Sequence, residues 1–300
     1  MLFDMKKILL AGMMMLVALT ISAQIKVAPK MQKGDKKVYV TEVSIVAAQV
    51  KMNATTETVY EVKDVTTDGY VIDAYVSDCK VEGDTANLAN RIGAMAMEMT
   101  KGLHALYSTD KDGQILKILN HDEMLEAADK MLDKTLSDIN LPAMMTKEKI
   151  KMAAKMNISE ENMLANAKMS DSPFSLNGKT ITNGMEDTFS TKEGLKLKRT
   201  FTLADDGSVK TDAEMDMNVE DIIGMISKQA GQMSPETANS DALKQQITQM
   251  INSGMLKFTA TNNATYTFCP DGWVKTLISD YSFQIMGQTL ESHCKITLKQ

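Results

Sequence analysis

The chain is poor in the residues that most site chemistry needs. Its 300 residues include 3 histidines, 3 cysteines and 1 tryptophan, and only 5 % are aromatic. None of His104, His121 and His293 has a second histidine or a cysteine at zinc-ligand spacing. His293 and Cys294 are neighbours on a predicted strand, so their side chains point to opposite faces, which disfavours a Cys/His catalytic pair. There is no G-x-S-x-G elbow, no G-x-G-x-x-G fingerprint and no P-loop. Two loops begin like calcium sites but lack the closing acid. Placing Gly113 at position 6 puts Leu119 at position 12, and placing Gly69 there puts Tyr75 at 12. The expectation is a non-enzymatic protein with no catalytic residues, no metal and no cofactor.

Other shortages narrow the partners. Basic residues number 33 against 39 acidic, giving a formal charge of −6. No Lys/Arg-rich stripe with interleaved aromatics occurs, and an acidic chain repels phosphate backbones, so nucleic-acid binding is not expected. Three scattered cysteines, Cys79, Cys269 and Cys294, do not make a disulfide scaffold and read as small buried thiols in strands. If the last strands form a meander, Cys294 lies opposite about residue 279, beyond bridging distance of Cys269.

One long apolar run is present, Ile8 to Ile21, preceded by Lys6 and Lys7 and followed by Ser22 and Ala23. It is shorter than the ~20 residues of a membrane span, and its flanks are those of a secretory signal peptide over residues 1–23. Ile21 is not the usual small residue before a cleavage site, and Met5 is an alternative start. The expectation is an exported protein, periplasmic or extracellular, with no transmembrane segment in the mature chain.

What the sequence has in quantity is turns between β-prone runs. Asp-Gly pairs at 68–69, 112–113, 206–207 and 271–272 each separate two such runs and predict four hairpins. Residues 36–52 predict a strand at the front. Residues 289–298 predict one at the end, with Leu290, Ser292, Cys294, Ile296 and Leu298 on one face. Trp273, Leu277, Tyr281, Phe283 and Ile285 form a matching stripe on the strand before it. Helices are predicted over 85–101, 121–139 (with Asn120 as N-cap and Glu123 in a capping box), 146–157, 159–168, 219–229 and 241–252. Residues 170–187 are rich in turn formers and read as a linker or a short edge strand. The fold class expected is α+β: a curved antiparallel sheet with amphipathic helices packed on its concave face. Residues 24–300 are expected to form a single α+β domain, with two domains split near 170 as the alternative.

The chain holds 26 methionines. In a helix over 85–101, Leu88, Ile92, Met95 and Met99 share one face, while Met97 lies around from them. Met124 and Met131 track one side of the next helix. Met215 and Met217 could share a strand face, but no histidine or cysteine near them completes a soft-metal site. Most of these thioethers read as core. Being unbranched and polarisable, a Met-lined surface also adapts to varied apolar shapes. Leu88, Ile92, Met95, Met99, Met124 and Met131 are therefore the candidate lining of an apolar ligand site between helices and sheet.

The stretches KGDKKVY (33–39), YEVKDVTTDGYV (60–71) and LHALYSTDKDGQILKILNHDEMLE (103–126) together resemble a family of exported bacterial proteins known only as a domain of unknown function. The resemblance spans about residues 33–300 and implies no catalytic residues. The helix-filled curved sheet is also similar in outline to periplasmic lipoprotein-carrier folds, which bind acyl chains. The first resemblance implies an exported protein, and the second implies that a ligand, if there is one, is an apolar small molecule or lipid. The competing expectation is a structural or protein-interaction module of the cell envelope with a packed core and no ligand.

Overall fold

All four Asp-Gly pairs turn hairpins, in a computed structural model that describes residues 24–47, 50–83, 94, 97–98, 100–137, 146–169, 171–191, 194–233, 241–253, 258–285 and 287–299. They join β3 (Val50–Val65) to β4 (Tyr70–Gly83), β5 (His104–Thr109) to β6 (Ile115–Ile118), β9 (Lys196–Leu203) to β10 (Val209–Met215), and β11 (Phe258–Phe268) to β12 (Val274–Ile285). Gly113, Gly207 and Gly272 take positive φ, as such turns favour. Gly69 does not; it is required for another reason. A Cβ there would overlap the Thr109 carbonyl oxygen, because the β3–β4 turn is laid directly against the end of β5.

The remaining strands are β1 (Gln24–Lys26), β2 (Lys36–Ala47), β7 (Thr180–Thr182), β8 (Glu186–Ser190) and β13 (Gln288–Lys299). Eleven of them form one antiparallel sheet in the order β6-β5-β4-β3-β2-β13-β12-β11-β10-β9-β8, and β1 pairs with β7 separately. The sheet is two meanders joined at one seam, where β2 pairs with β13 from Val38–Lys299 to Ala47–Leu290. The front strand expected over 36–52 is the whole of β2 followed by the start of β3. β3 begins at Val50, and the sequence between it and the end of β2 at Ala47 holds no turn former, so no residue announced the division.

Five helices are described: α1 (His121–Ser137), α2 (Lys147–Asn157), α3 (Glu160–Lys168), α4 (Val219–Met233) and α5 (Asp241–Asn252). Their sequence signals mostly hold. Ser159 caps α3 by accepting from Asn162 N. Asn218 and Asp221 cap α4 reciprocally, Asp221 N donating to Asn218 Oδ1 at 2.9 Å and Asn218 N to Asp221 Oδ2 at 3.3 Å. Asn120 does not cap α1 with its side chain. Its Oδ1 accepts from Leu106 N at 2.8 Å and its Nδ2 donates to the His104 carbonyl at 3.0 Å, so it extends β5 instead. Of the helix expected over 85–101, Ala94, Met97 and Glu98 are helical, and the rest lies mostly outside the described residues.

One face of the sheet carries the core, and the helices pack there, so the fold is α+β and dominated by its antiparallel sheet. Leu164 and Ala167 of α3 pack against a cluster containing Tyr39, Val62, Ile72, Phe201, Tyr266, Trp273 and Leu277. Ile222 of α4 and Ile247 of α5 pack on Phe258. Around them sit Met215, Met217, Met225 and Met250, which act as adaptable filler where two helices meet sheet. The opposite face alternates Lys, Thr, Glu and Asp and is wet.

Residues 170–187 are more than a linker. Phe174, Leu176 and Asn177 are buried, and the segment then supplies β7 and the edge strand β8. Phe174 is held edge-on between Tyr60 and Trp273, at centroid distances of 5.0 and 6.0 Å. Asn177 Nδ2 donates to the Gly113 carbonyl at 3.0 Å, and Ser175 Oγ to Tyr266 Oη at 3.2 Å. A segment read as turn-forming is thus plugged into the middle of the inner face.

Candidate functional site

On the inner face a group of threonines lies beside the seam. Tyr39 faces Thr58 across the β2–β3 ladder, and Thr41 faces Thr56 and, on its other side, Ile296. Short β-branched side chains there leave depth between larger neighbours. The result is a cleft of about 510 Å³. Thr41, Thr56, Thr58 and Ile296 form its floor, and Tyr39, Tyr60, Tyr107 and Ile115 its sides. Met163, Asn166 and Ala167 of α3, with Met169 and residues 171–174, form the roof.

The roof is fixed from two directions. Glu160 Oε1, in the first turn of α3, accepts from Ile118 N at 3.1 Å and so satisfies a donor on the edge strand β6. The Phe174 ring locks the other end against Tyr60.

Three phenols line the cleft, and each is kept neutral. Burial pushes Tyr107 up to about 12. Burial, and then the neighbouring Tyr107, raise Tyr60 further. Tyr39 is raised by burial and then by Tyr60, Cys269 and Asp271, and its hydroxyl donates to the Val274 carbonyl at 2.7 Å. Tyr60 and Tyr107 have no such partner among the described residues. Two neutral donors therefore stand at the side of the cleft with no acceptor among the described residues.

A second basin of about 270 Å³ lies beyond Met169 and Asp171, which line both. Its floor is again built of small side chains, Asn262, Ser279, Ser292 and Cys294, with Phe189, Leu197 and Leu290 at the sides. Ala213 and Ala264 stand opposite Asn262 and Ser279 in the ladders and keep the surface low. Asn262 Nδ2 donates to Ser279 Oγ at 2.9 Å. Burial, then Asp171, push the Cys294 thiol up to about 12, so it is not a nucleophile at neutral pH. All three cysteines are free.

Beside this basin sits Arg199, 1 % exposed. Its Nε and Nη2 donate to Asp187 Oδ1 and Oδ2, both at 2.8 Å, and its guanidinium lies between the rings of Phe189 and Phe201 at 4.9 and 4.7 Å. Lys179 donates to the same carboxylate at 2.7 Å. Burial pushes the Asp187 carboxyl up, but the hydrogen bonds from Arg199 and Lys179 outweigh it and hold the group below the usual carboxylate range.

Of the expected lining residues, Met124 and Met131 fall within the described part of the structure. Leu88, Ile92, Met95 and Met99 lie outside the described residues. Met124 is buried on α1 in one stripe with Ala128, Leu132 and Leu136, and Met131 is half-buried beside it. Neither lines either basin. The methionines that do are Met163 and Met169. The overlooked signal was in MNATTETVY, where Ala54, Thr56, Thr58 and Tyr60 put three small side chains and one large one on the inner face.

Among the described residues no three His, Cys, Asp or Glu side chains gather as metal ligands, and no helix is long and apolar enough to cross a membrane. No protein-family model matches the chain, and no curated protein matches it. Among solved structures, one of lipovitellin, described as showing lipid–protein interactions, is similar at a TM-score of 0.45 with 11 % identity. The match covers 90 % of this chain and 26 % of lipovitellin, so this chain spans about a quarter of that protein's length. A likeness that slight does not bear on function.

Proposed function

We propose that this protein is an exported, non-enzymatic binder of an apolar ligand with one polar end, held between the inner sheet face and α3. The observation that carries the reading is the 510 Å³ cleft with two neutral phenols at its side that have no hydrogen-bond partner among the described residues. That volume lies within the range of small-molecule sites, and its mixture of aliphatic, aromatic and hydroxyl side chains suits an amphiphile. The one thiol among the described lining residues, Cys294, is raised by burial and so is no nucleophile, which supports binding rather than turnover.

The test is extraction of the natively purified protein followed by lipid mass spectrometry, with titration of the stripped protein using an environment-sensitive acyl probe. One lipid per chain, displaced by the probe, is expected. Protein that is repeatedly empty and does not take up the probe would point to a structural module of the cell envelope instead.

A further inference from the structure

The two basins are successive stretches of one floor, which bears on the length of ligand they take and rests on the binding reading above. Thr41 of β2 pairs with Ile296 of β13, and both line the first basin. The next inward-facing pairs on the same two strands, Val43 with Cys294 and Ile45 with Ser292, line the second. No sheet residue therefore stands between the basins, and from Ile296 to Leu290 their shared floor is about 20 Å long. What borders both comes from the roof. Of the two residues there, Asp171 is exposed and Met169 half-buried. The inner part of the border is thus a thioether, unbranched and free to change rotamer. The second basin is the more apolar, with Val43, Ile45, Phe189, Leu197 and Leu290 in its lining, while threonines and phenols mark the first.

We propose that one long-chain, single-tailed amphiphile lies along the β2–β13 seam, its polar end beside Tyr60 and Tyr107 and its chain passing beneath Met169 into the second basin, which is thereby a subsite that selects chain length. Competition of octanoyl, lauroyl and palmitoyl monoacylglycerols against a fluorescent acyl probe tests this. Affinity is expected to rise about fourfold per added methylene, and to go on rising from lauroyl to palmitoyl. Ser292→Leu, at a half-buried position on the second basin's floor, is expected to weaken palmitoyl at least about tenfold and octanoyl less than about twofold. The single tryptophan, Trp273, reports the direction of the chain in the parent protein, because it packs on Phe174 at the Tyr39 end of the seam. Bromine near the ester of a palmitoyl chain is expected to quench it more than bromine at the methyl end. The reverse order would place the polar end near Arg199, whose buried Nη1 has no hydrogen-bond partner among the described residues, and would overturn the proposed direction. Affinity that stops rising before lauroyl, or that Ser292→Leu lowers equally for all three chains, overturns the subsite while leaving the binding function standing. Failure of every chain and of the probe overturns both.

Discussion

The Tyr39 hydroxyl donates a 2.7 Å hydrogen bond to the Val274 carbonyl, 235 residues away in sequence. It reaches from β2 over β13 to the start of β12, so it ties together the three strands on which the two meanders join. Tyr39→Phe keeps the ring and its edge-on contact with Tyr60 but removes the donor. The expected loss is about 1–2 kcal/mol of unfolding free energy, read as a lower urea midpoint at unchanged slope. A midpoint equal to that of the parent would mean the bond contributes nothing to the seam.

Asp187 sets a second expectation. Its folded pKa is depressed, so its pairing with Arg199 and Lys179 adds stability above the unfolded carboxyl value of about 4 and loses it as pH falls through the folded value. Asp187→Asn should cost about 3 kcal/mol at pH 7, because Arg199 stays buried with its charge uncompensated. The same variant should close the gap to the parent at the most acidic pH reached. Arg199→Lys should not restore stability, since an ammonium makes neither the two-pronged bond nor the stacking with Phe189 and Phe201. Urea melts across pH 2 to 7 check all three.

Two glycines from the same dipeptide should behave differently. Gly207 has φ +80 with nothing within 4 Å of a Cβ, so Gly207→Ala pays only for the left-handed backbone, about 1 kcal/mol. Gly69→Ala drives its Cβ into the Thr109 backbone and should cost at least about 2 kcal/mol. Thermal melts of both variants decide it, and a larger loss at Gly207 would contradict the close approach of the β3–β4 turn to β5.

Filling the cleft should separate binding from folding. Ala167 lies on α3 above the cleft, and leucine is nearly as good a helix former as alanine. Ala167→Leu is expected to lower affinity for the acyl probe about tenfold or more while leaving the melting temperature within a few degrees of the parent. Unchanged affinity would move the ligand away from α3.

Much of the scaffold was legible residue by residue. Each Asp-Gly pair marked a real hairpin, the alternation from Leu290 to Leu298 marked the buried face of β13, and the stripe from Trp273 to Ile285 marked that of β12. The expectation that Cys294 faces about residue 279 is met by its pairing with Ser279. These features depend on local backbone preference and a two-residue period, and both are written in consecutive residues. The division between β2 and β3 was missed because no residue that prefers a turn separates Ala47 from Val50 in the sequence.

Tertiary structure alone decided where space is left. A cleft depends on which small side chains become neighbours across ladders, and Thr41, Thr56 and Ile296 are brought together only when the ends of the chain meet at the β2–β13 seam. The turn-rich stretch after α3 reads as a linker or a short edge strand, yet burial of Phe174 between Tyr60 and Trp273 draws it across the inner face and makes it a roof. Hydrophobic period by itself pointed to helix methionines as a lining. Local pattern states which side of an element is buried but not what it is buried against, because that contact is set by residues far away in the chain.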